Sequence, residues 1–358
     1  MSKKICLLVD CLSHGGAEKV AANLSLSLSK KGYNVFIVSM RDSIAYNFSG
    51  TLYNFGKIKA KYTKLKAFFE FKNFFAQQSF DVIIDHRVRN VYLKEVLFSK
   101  YVFRKERIIY CLHNYNLFYS FSFLKVPFLA LFPHVKRRRF ISVCKEIQRH
   151  LNKRLSIKSR VIYNFISSNI DSFKPQKPSF DKTYIIGVGR LTKVKQFDEL
   201  LKSYNSSKLP ENNIELIILG DGEERIALEA LINKLNLSNL VKLIPFTNNP
   251  YNLISNAKAL VLSSKVEGFP MVLLEALSLN TPVVSYNCKS GPNEIIRHNE
   301  NGLLVENQNQ LELTMALNKL ILDQDFYKAI KKNTQIGLEK FSEVHISQQW
   351  FSLLENQI

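Results

Sequence analysis

Cysteine is scarce and scattered. The 358-residue chain holds five, Cys6, Cys11, Cys111, Cys144 and Cys288, with no Cys-x-x-Cys pair and no His/Cys cluster along the sequence, so neither a disulfide framework nor a metal site is expected. They read as reduced core thiols of a cytosolic protein. Long apolar runs are also missing, since nothing approaches the roughly 18 to 20 residues of a spanning helix. The segment Ile5–Val9, after Met1-Ser-Lys-Lys, runs into a polar glycine-containing turn rather than a cleavage site. Neither secretion nor membrane spanning is expected. Glycine is sparse where nucleotide motifs need it: neither Gly15-Gly16 nor Gly187-Val188-Gly189 continues to a third glycine, and no Gly-x4-Gly-Lys-Ser/Thr occurs. Dinucleotide binding and P-loop hydrolysis both lose ground.

Acidic residues are scarce in the first half only. Residues 1–180 hold 32 Lys and Arg against 10 Asp and Glu, a net charge of +22, whereas residues 181–358 hold 18 against 20, a net of −2. One half therefore suits a polyanion or an anionic surface, either nucleic acid or a membrane leaflet, unless the lysines serve only solubility. Two stretches mix aromatic and cationic residues. Residues 57–75 set Lys57, Lys59, Lys61, Lys64, Lys66 and Lys72 among Phe68, Phe69, Phe71, Phe74 and Phe75, and residues 121–139 run from Phe121, Phe123, Leu124, Phe128, Leu129, Leu131 and Phe132 into Lys136-Arg137-Arg138-Arg139. Both resemble membrane-surface segments, with the alternative that the aromatics cover a core and only the cations are exposed.

A hydrophobic content of 46% over this length supplies cores for two ordinary domains. Ile5–Val9 reads as a buried strand, Ala17–Ser29 as a helix with Val20, Ala21, Leu24 and Leu28 on one face, and Val35–Ser39 as the next strand, a β-α-β unit. Short apolar strands at Val82–Ile84, Arg107–Tyr110 and Phe140–Val143 are spaced for crossover helices, which argues for a parallel sheet. Periodicity stops over Asn164–Lys182. It resumes with strands at Tyr184–Val188, Glu215–Leu219, Val241–Ile244, Ala259–Leu262 and Pro282–Ser285 between helical stretches near 196–204, 224–235, 250–257 and 271–279. The expected organisation is an α/β protein with two doubly wound, Rossmann-like domains facing across a cleft. The first is 1–165, 166–182 a linker, 183–340 the second, and 341–358 a terminal helix that can pack back on the first.

Candidate site residues fall just after strands, where doubly wound sheets bind ligands. The segment Ser264 to Pro282 spaces Glu267 and Glu275 eight positions apart across a loop that becomes a helix. Its N-terminus over Gly268 to Met271, with Phe269 in the turn and Pro270 where a first helical turn tolerates proline, offers the unpaired backbone N–H groups of a helix start to a diphosphate, while a carboxylate on either side can accept hydroxyl hydrogens of a sugar and a ribose. The other reading is an ordinary strand-to-helix turn with two solvated glutamates. Gly189-Arg190 and Lys195 place two cations beyond the strand 184–188, fit to clamp a diphosphate and to stabilise a departing nucleotide without a metal. Gly220-Asp221-Gly222 either lets a nucleotide approach the backbone or makes a simple turn. In the first half Gly15 and Gly16 open a helix as a phosphate or sugar cradle, and His113 ends a strand where it is either structural or a sugar or phosphate contact. Asp323-Gln324-Asp325 reads as surface.

Taken in order, Gly15-Gly16-Ala17-Glu18, His113, Gly189-Arg190…Lys195, Gly220-Asp221-Gly222 and Glu267-x7-Glu275 resemble the retaining, GT-B-fold glycosyltransferases of family 4, the glycosyl transferases group 1. The run from Glu267 to Leu277 with Ser290-Gly-Pro-Asn-Glu-Ile-Ile is similar to members that build bacterial surface polysaccharides. The resemblance implies that Arg190 and Lys195 hold the donor diphosphate and Glu275 the ribose, with Gly189, Gly220 and the 268–271 turn around them. It further implies that Glu267 and His113 act on the transferred sugar and that Gly15 and Gly16 line the phosphate and acceptor end. Two positions depart from it: Gln196 stands where many relatives have glycine, and Phe165 where proline is usual. The implied activity is metal-independent, cofactor-free transfer with retention, from a nucleotide diphosphate sugar, most simply a UDP-sugar, to a lipid-linked or polysaccharide acceptor. The implied location is the cytoplasmic face of the membrane, bound peripherally to an anionic surface and to no nucleic acid. The alternatives are a nucleotide-sugar epimerase of the same fold, for which an extra acid/base pair is not found, and a non-enzymatic polyanion-binding protein.

Overall fold

A computed structural model describes residues 2–13, 15–103, 106–121, 138–167, 170, 172–176, 182–247 and 249–355. The chain divides into two units, one comprising the residues up to Phe165 together with the chain from Glu343 onward, the other Ile166–Ser342. Residues from 166 to 182, expected as a linker, group with the second unit.

The first unit is built on strands β1 (Lys4–Val9), β2 (Asn34–Ser39), β3 (Thr51–Asn54), β4 (Val82–Asp85), β5 (Arg107–Leu112), β6 (Arg138–Ser142) and β7 (Arg160–Val161). All neighbours pair in parallel, in the spatial order 3-2-1-4-5-6-7. In the centre Ile5 lies between Val35 and Val82. Successive residues of β1 bury on opposite faces: Ile5, Leu7 and Val9 join one apolar cluster, Cys6 and Leu8 another. A strand covered on both faces reads as a continuous apolar run, which is why it was recognisable in the sequence. Helix α1 (Gly16–Lys30) covers the first face with Ala21, Leu24 and Leu28.

The opposite face is covered by the aromatic segment. Residues 55–78 form α2 (Phe55–Lys61) and α3 (Lys64–Gln78), capped by the Asn54 and Thr63 side chains. Phe71 and Phe75 are fully buried, and Phe68 and Phe74 pack partly buried against the same cluster. The expectation that this aromatic row reaches a lipid interface therefore fails for Phe71 and Phe75, because the sheet's second face needs them. Leu65 and Phe69 stay 68% and 49% exposed beside the lysines. Residues 122–137 of the second aromatic-cationic segment lie outside the described residues; Phe121, at its edge, is buried. Further helices are α4 (Tyr92–Leu97), continued by a π-helical turn at Phe98–Val102, and α5 (Lys145–Leu155).

The second unit carries β8 (Tyr184–Val188), β9 (Glu215–Leu219), β10 (Val241–Ile244), β11 (Leu260–Leu262), β12 (Val283–Tyr286) and β13 (Gly302–Val305), again all parallel, in the order 10-9-8-11-12-13. Its helices are α6 (Phe197–Asn205), α7 (Arg225–Lys234), α8 (Tyr251–Asn256), α9 (Met271–Ser278), α10 (Pro292–Ile295), α11 (Gln310–Leu322) and α12 (Gln324–Lys332). Asp323 caps α12 by accepting from the Phe326 N–H at 3.0 Å, and Asp325 is exposed, so the Asp-x-Asp pair is a helix start. Helix α13 (Glu343–Glu355) belongs to the first unit, where Ile346, Trp350, Leu353 and Leu354 join the cluster under α1. The hydroxyls of Ser27 and Ser347 pair at 2.6 Å between the two helices.

Candidate active site

In the second sheet the strand order reverses between β8 and β11, the first and fourth strands of that unit. Chain connections on either side of such a point leave in opposite directions, and the crevice they open at the strands' carboxyl ends is where ligands bind. Lys195 follows β8 and Glu267 follows β11, and the two side chains meet there: Lys195 Nζ donates to Glu267 Oε1 at 2.5 Å, with both groups largely buried. The Lys195 chain lies over Gly189, where an added Cβ would stand 3.3 Å from its Cε. Two backbone links hold the Lys195 loop, Lys195 N–H to the Thr192 carbonyl at 3.0 Å and Ser263 Oγ–H to the Lys195 carbonyl at 2.9 Å. Arg190 is exposed and, among the described residues, forms no ion pair.

The loop after β9 runs alongside. Gly189 N–H donates to Leu219 O, and Leu191 N–H to Asp221 O, at 3.0 and 2.8 Å. Gly220 has φ +152°, and a Cβ there would overlap the Gly189 carbonyl, so the close approach of the two loops demands glycine. On the other side the Glu267 turn is tied to the loop after β12 by Glu267 N–H to Lys289 O at 2.6 Å and Ser290 Oγ–H to Gly268 O at 2.8 Å. Pro270 is the N-cap of α9, with φ −74°. Phe269 and Met271 are buried, Phe269 against Phe341 with ring centres 5.5 Å apart, so their side chains brace the turn. Glu275 is a buried carboxylate one turn into α9. Gln196, where resemblance led to an expected glycine, is left-handed with φ +49° and ψ +46°.

The first unit carries a second set at the corresponding edge. Gly15 is the N-cap of α1, and its Cβ position is filled by the Glu18 carboxylate, whereas that of Gly16 is open. His113 follows β5 and its Nε2 lies 2.9 Å from His86 Nδ1. His86 was not singled out from the sequence, nor was the buried charge network beside it. Arg87 bonds Asp85 at 2.8 Å and Glu95 at 3.1 Å through its Nη2, and Arg89 donates to the carbonyls of Arg87 and Asp85 at 3.1 and 3.3 Å. Burial pushes the Asp85 carboxyl up, but Arg87 and Arg89 outweigh it and hold the group below the ordinary range. Burial, aided by Arg89, brings His86 down to about 4 against an opposing pull from Asp85. Burial, with His86 and Arg89 beside it, also holds His113 well below the ordinary histidine value, so both rings are neutral near pH 7. The run Asp85-His86-Arg87-Val88-Arg89 directly after a strand was the available signal.

Two family models divide the chain between them. Residues 169–336 match the glycosyl transferases group 1 and residues 14–169 match glycosyltransferase family 4. The chain belongs to this glycosyltransferase family. The amylovoran biosynthesis glycosyltransferase AmsD of Erwinia amylovora is 25% identical over 98% of this chain and 99% of that protein. A 4-alpha-N-acetylgalactosaminyltransferase of Campylobacter jejuni, named for an undecaprenol diphosphate-linked sugar, is 28% identical over 96% and 97%. The solved structure of Anabaena HepE in complex with UDP-glucose superposes with a TM-score of 0.79 at 20% identity, covering 99% of each chain, which shows the same fold. This glycosyltransferase thus has the GT-B architecture of two Rossmann-like domains. The cations and carboxylates described above stand at the ligand edges of its two sheets.

Proposed function

We propose that the enzyme moves a sugar from a UDP-sugar to a lipid-linked or polysaccharide acceptor during assembly of a bacterial surface glycan. The observation that carries this is the pairing of Lys195 with Glu267 at the switch point of the second sheet, with Arg190 exposed just after β8 and Glu275 buried one turn into α9. A departing UDP needs positive charge and N–H groups at its diphosphate and a carboxylate at its ribose, which these groups supply. Arg190 and Lys195 neutralise the leaving group, so no metal is required. Glu267 contacts hydroxyls of the transferred sugar, His113 its reacting face, and transfer retains the anomeric configuration. Gly16 lines the phosphate and acceptor end of the site. The UDP-glucose complex of HepE and the polysaccharide and lipid-linked names of the relatives support this reading. A nucleotide-sugar epimerase finds no support among the relatives named above.

The enzyme associates peripherally with the cytoplasmic membrane face through its basic first unit. Support comes from the exposed Leu65 and Phe69 of α3, which share their segment with the exposed Lys57, Lys61, Lys64 and Lys66, and from the exposed Leu93 and Leu97 of α4. Among the described residues no helix is long and apolar enough to cross a membrane.

The test is thermal stabilisation by UDP, GDP, ADP and dTDP and their sugars, with Arg190→Ala alongside, followed by NMR assignment of the product anomer. Stabilisation by uridine nucleotides that Arg190→Ala abolishes is expected. A response confined to another base would overturn the donor assignment, and an inverted product would overturn retention.

A further inference from the structure

His86, Cys111 and His113 are the three side chains among the described residues that stand close enough to suggest a shared metal ion, with ligand atoms within 4.8 Å of one another. Their geometry argues for something else. His86 uses one nitrogen toward each neighbour: Nδ1 lies 2.9 Å from His113 Nε2, and Nε2 lies 4.0 Å from Cys111 Sγ. A ring that spans two partners through opposite nitrogens cannot aim both at one ion, so the three groups form a chain and not a chelate. The ring planes are tilted by only 27°, and their centres are 5.1 Å apart, nearly the 2.9 Å gap plus two ring radii. The two nitrogens therefore lie on the line between ring centres, as an in-plane hydrogen bond requires. Arg89, whose Nη2 reaches the Cys111 carbonyl at 3.5 Å and whose charge acts on both imidazoles, further disfavours a cation there.

We propose that His86 is a positioning residue that, with the Cys111 thiol behind it, holds His113 in the tautomer bearing its proton on Nδ1. The direction follows from the far end of the chain. Cys111 is buried and its titration is raised, burial being the main cause, so it stays a thiol with one proton to give and a sulfur that accepts poorly. It donates to His86 Nε2. His86 must then carry its own proton on Nδ1 and donate it to His113 Nε2, which leaves His113 with its proton on Nδ1. That nitrogen has no hydrogen-bond partner among the described residues. His113 thereby presents a neutral donor, fit for a hydroxyl or phosphate oxygen of the bound sugar nucleotide and unfit to accept a proton from the acceptor. Asp85 and Arg89 are the charged groups that act on His86, and their opposed effects leave its ring neutral.

This inference rests on the reading of His113 as a sugar contact, and the test separates the two. In the full-length enzyme with 15N-labelled histidine, the nitrogen shifts of His113 report its tautomer without any turnover. Nδ1-protonated His113 from pH 6 to 9 is expected. In His86→Phe the Nε2-protonated form should gain population, and turnover should drop about tenfold, the worth of one neutral hydrogen bond, with UDP affinity unchanged. Should His86→Phe fold poorly, His86→Gln and Cys111→Ala serve the same comparison, and Gln, which keeps a donor near Nδ1, should recover part of the turnover. Nε2-protonated His113 in the wild type, or a tautomer indifferent to His86, would overturn the proposal. So would tight one-to-one binding of zinc chloride that His86→Phe abolishes, since the cluster would then be a metal centre. If His113→Ala turns over normally, the sugar-contact reading fails, while the tautomer measurement still decides the relay.

Discussion

At the scale of single residues, the candidate donor site is held in a self-neutralised state. Lys195 and Glu267 pair with each other at 2.5 Å, while Arg190, which follows β8, is left exposed. On the donor-site reading proposed above, a bound diphosphate draws Lys195 toward phosphate and leaves Glu267 to hydroxyls. Arg190→Ala and Lys195→Ala are expected to weaken UDP binding roughly tenfold or more, as loss of a charge-assisted contact implies, whereas Glu267→Ala should leave UDP affinity intact and lower turnover. Calorimetric titration with UDP beside steady-state rates separates these outcomes. A second prediction concerns acid stability. His86 titrates at about 4 in the folded chain against an ordinary value of 6.5. Between those values the unfolded chain binds the extra proton, so stability is flat above about pH 6.5 and declines as pH falls toward 4, by up to about 3 kcal/mol from this residue. His113 acts in the same direction. Urea midpoints measured from pH 4 to 8 should show the decline, and His86→Phe should flatten part of it.

At the scale of elements, the turn into α6 carries an avoidable strain. Gln196 occupies left-handed space at φ +49°, and its buried Oε1 lacks a hydrogen-bond partner. Gln196→Gly is expected to raise stability by about 1 kcal/mol, because glycine enters that region without the Cβ penalty and the orphan oxygen is removed. Urea denaturation checks this. Helix α3 poses the opposite case, since its buried side holds Phe71 and Phe75 and its outer side shows Leu65 and Phe69. Sedimentation with anionic vesicles should capture the wild type, and Leu65→Asp with Phe69→Asp should abolish capture without unfolding the protein. Equal binding to neutral and anionic vesicles would count against the surface charge as the attractant.

At the scale of the whole molecule, the chain's last helix completes its first unit. Trp350, Ile346 and Leu353 fill the cluster beneath α1 across more than 300 residues of sequence. Trp350→Ala is expected to cost about 3 to 5 kcal/mol, the range for emptying a large aromatic site. Fragments containing residues 1–165 alone should expose this apolar face and aggregate, a result that light scattering reads directly. The charge asymmetry belongs to this scale too, since the +22 half of the sequence supplies nearly all of the first unit while the −2 half carries the donor-site candidates.

Much of this was written in local pattern. The apolar runs at Ile5–Val9, Tyr184–Val188 and Glu215–Leu219 announced doubly covered parallel strands, because a strand buried on both faces has no polar alternation to blur it. The strand-end positions of Arg190, Lys195, Glu267 and His113 were legible for the same reason: once the strands are located, the residues after them lie at the ligand edge. Strands β3 and β13, four residues each, were not read because runs that short carry no usable periodicity, and helices α11 and α12 were not read although Leu313, Ala316, Leu317, Leu320 and Ile321 line one face of α11 and Tyr327 and Ile330 one face of α12. Only the folded chain decided which partners meet. Glu267 and Lys195 are 72 residues apart and touch because β8 and β11 are neighbours. His86 reaches His113 because β4 and β5 pair in parallel register, and Phe71 turns inward because a sheet face required cover. Sequence by itself determined the elements and the chemistry available at their ends; tertiary structure decided the pairings, since strand order is set by long-range packing that no local spacing records.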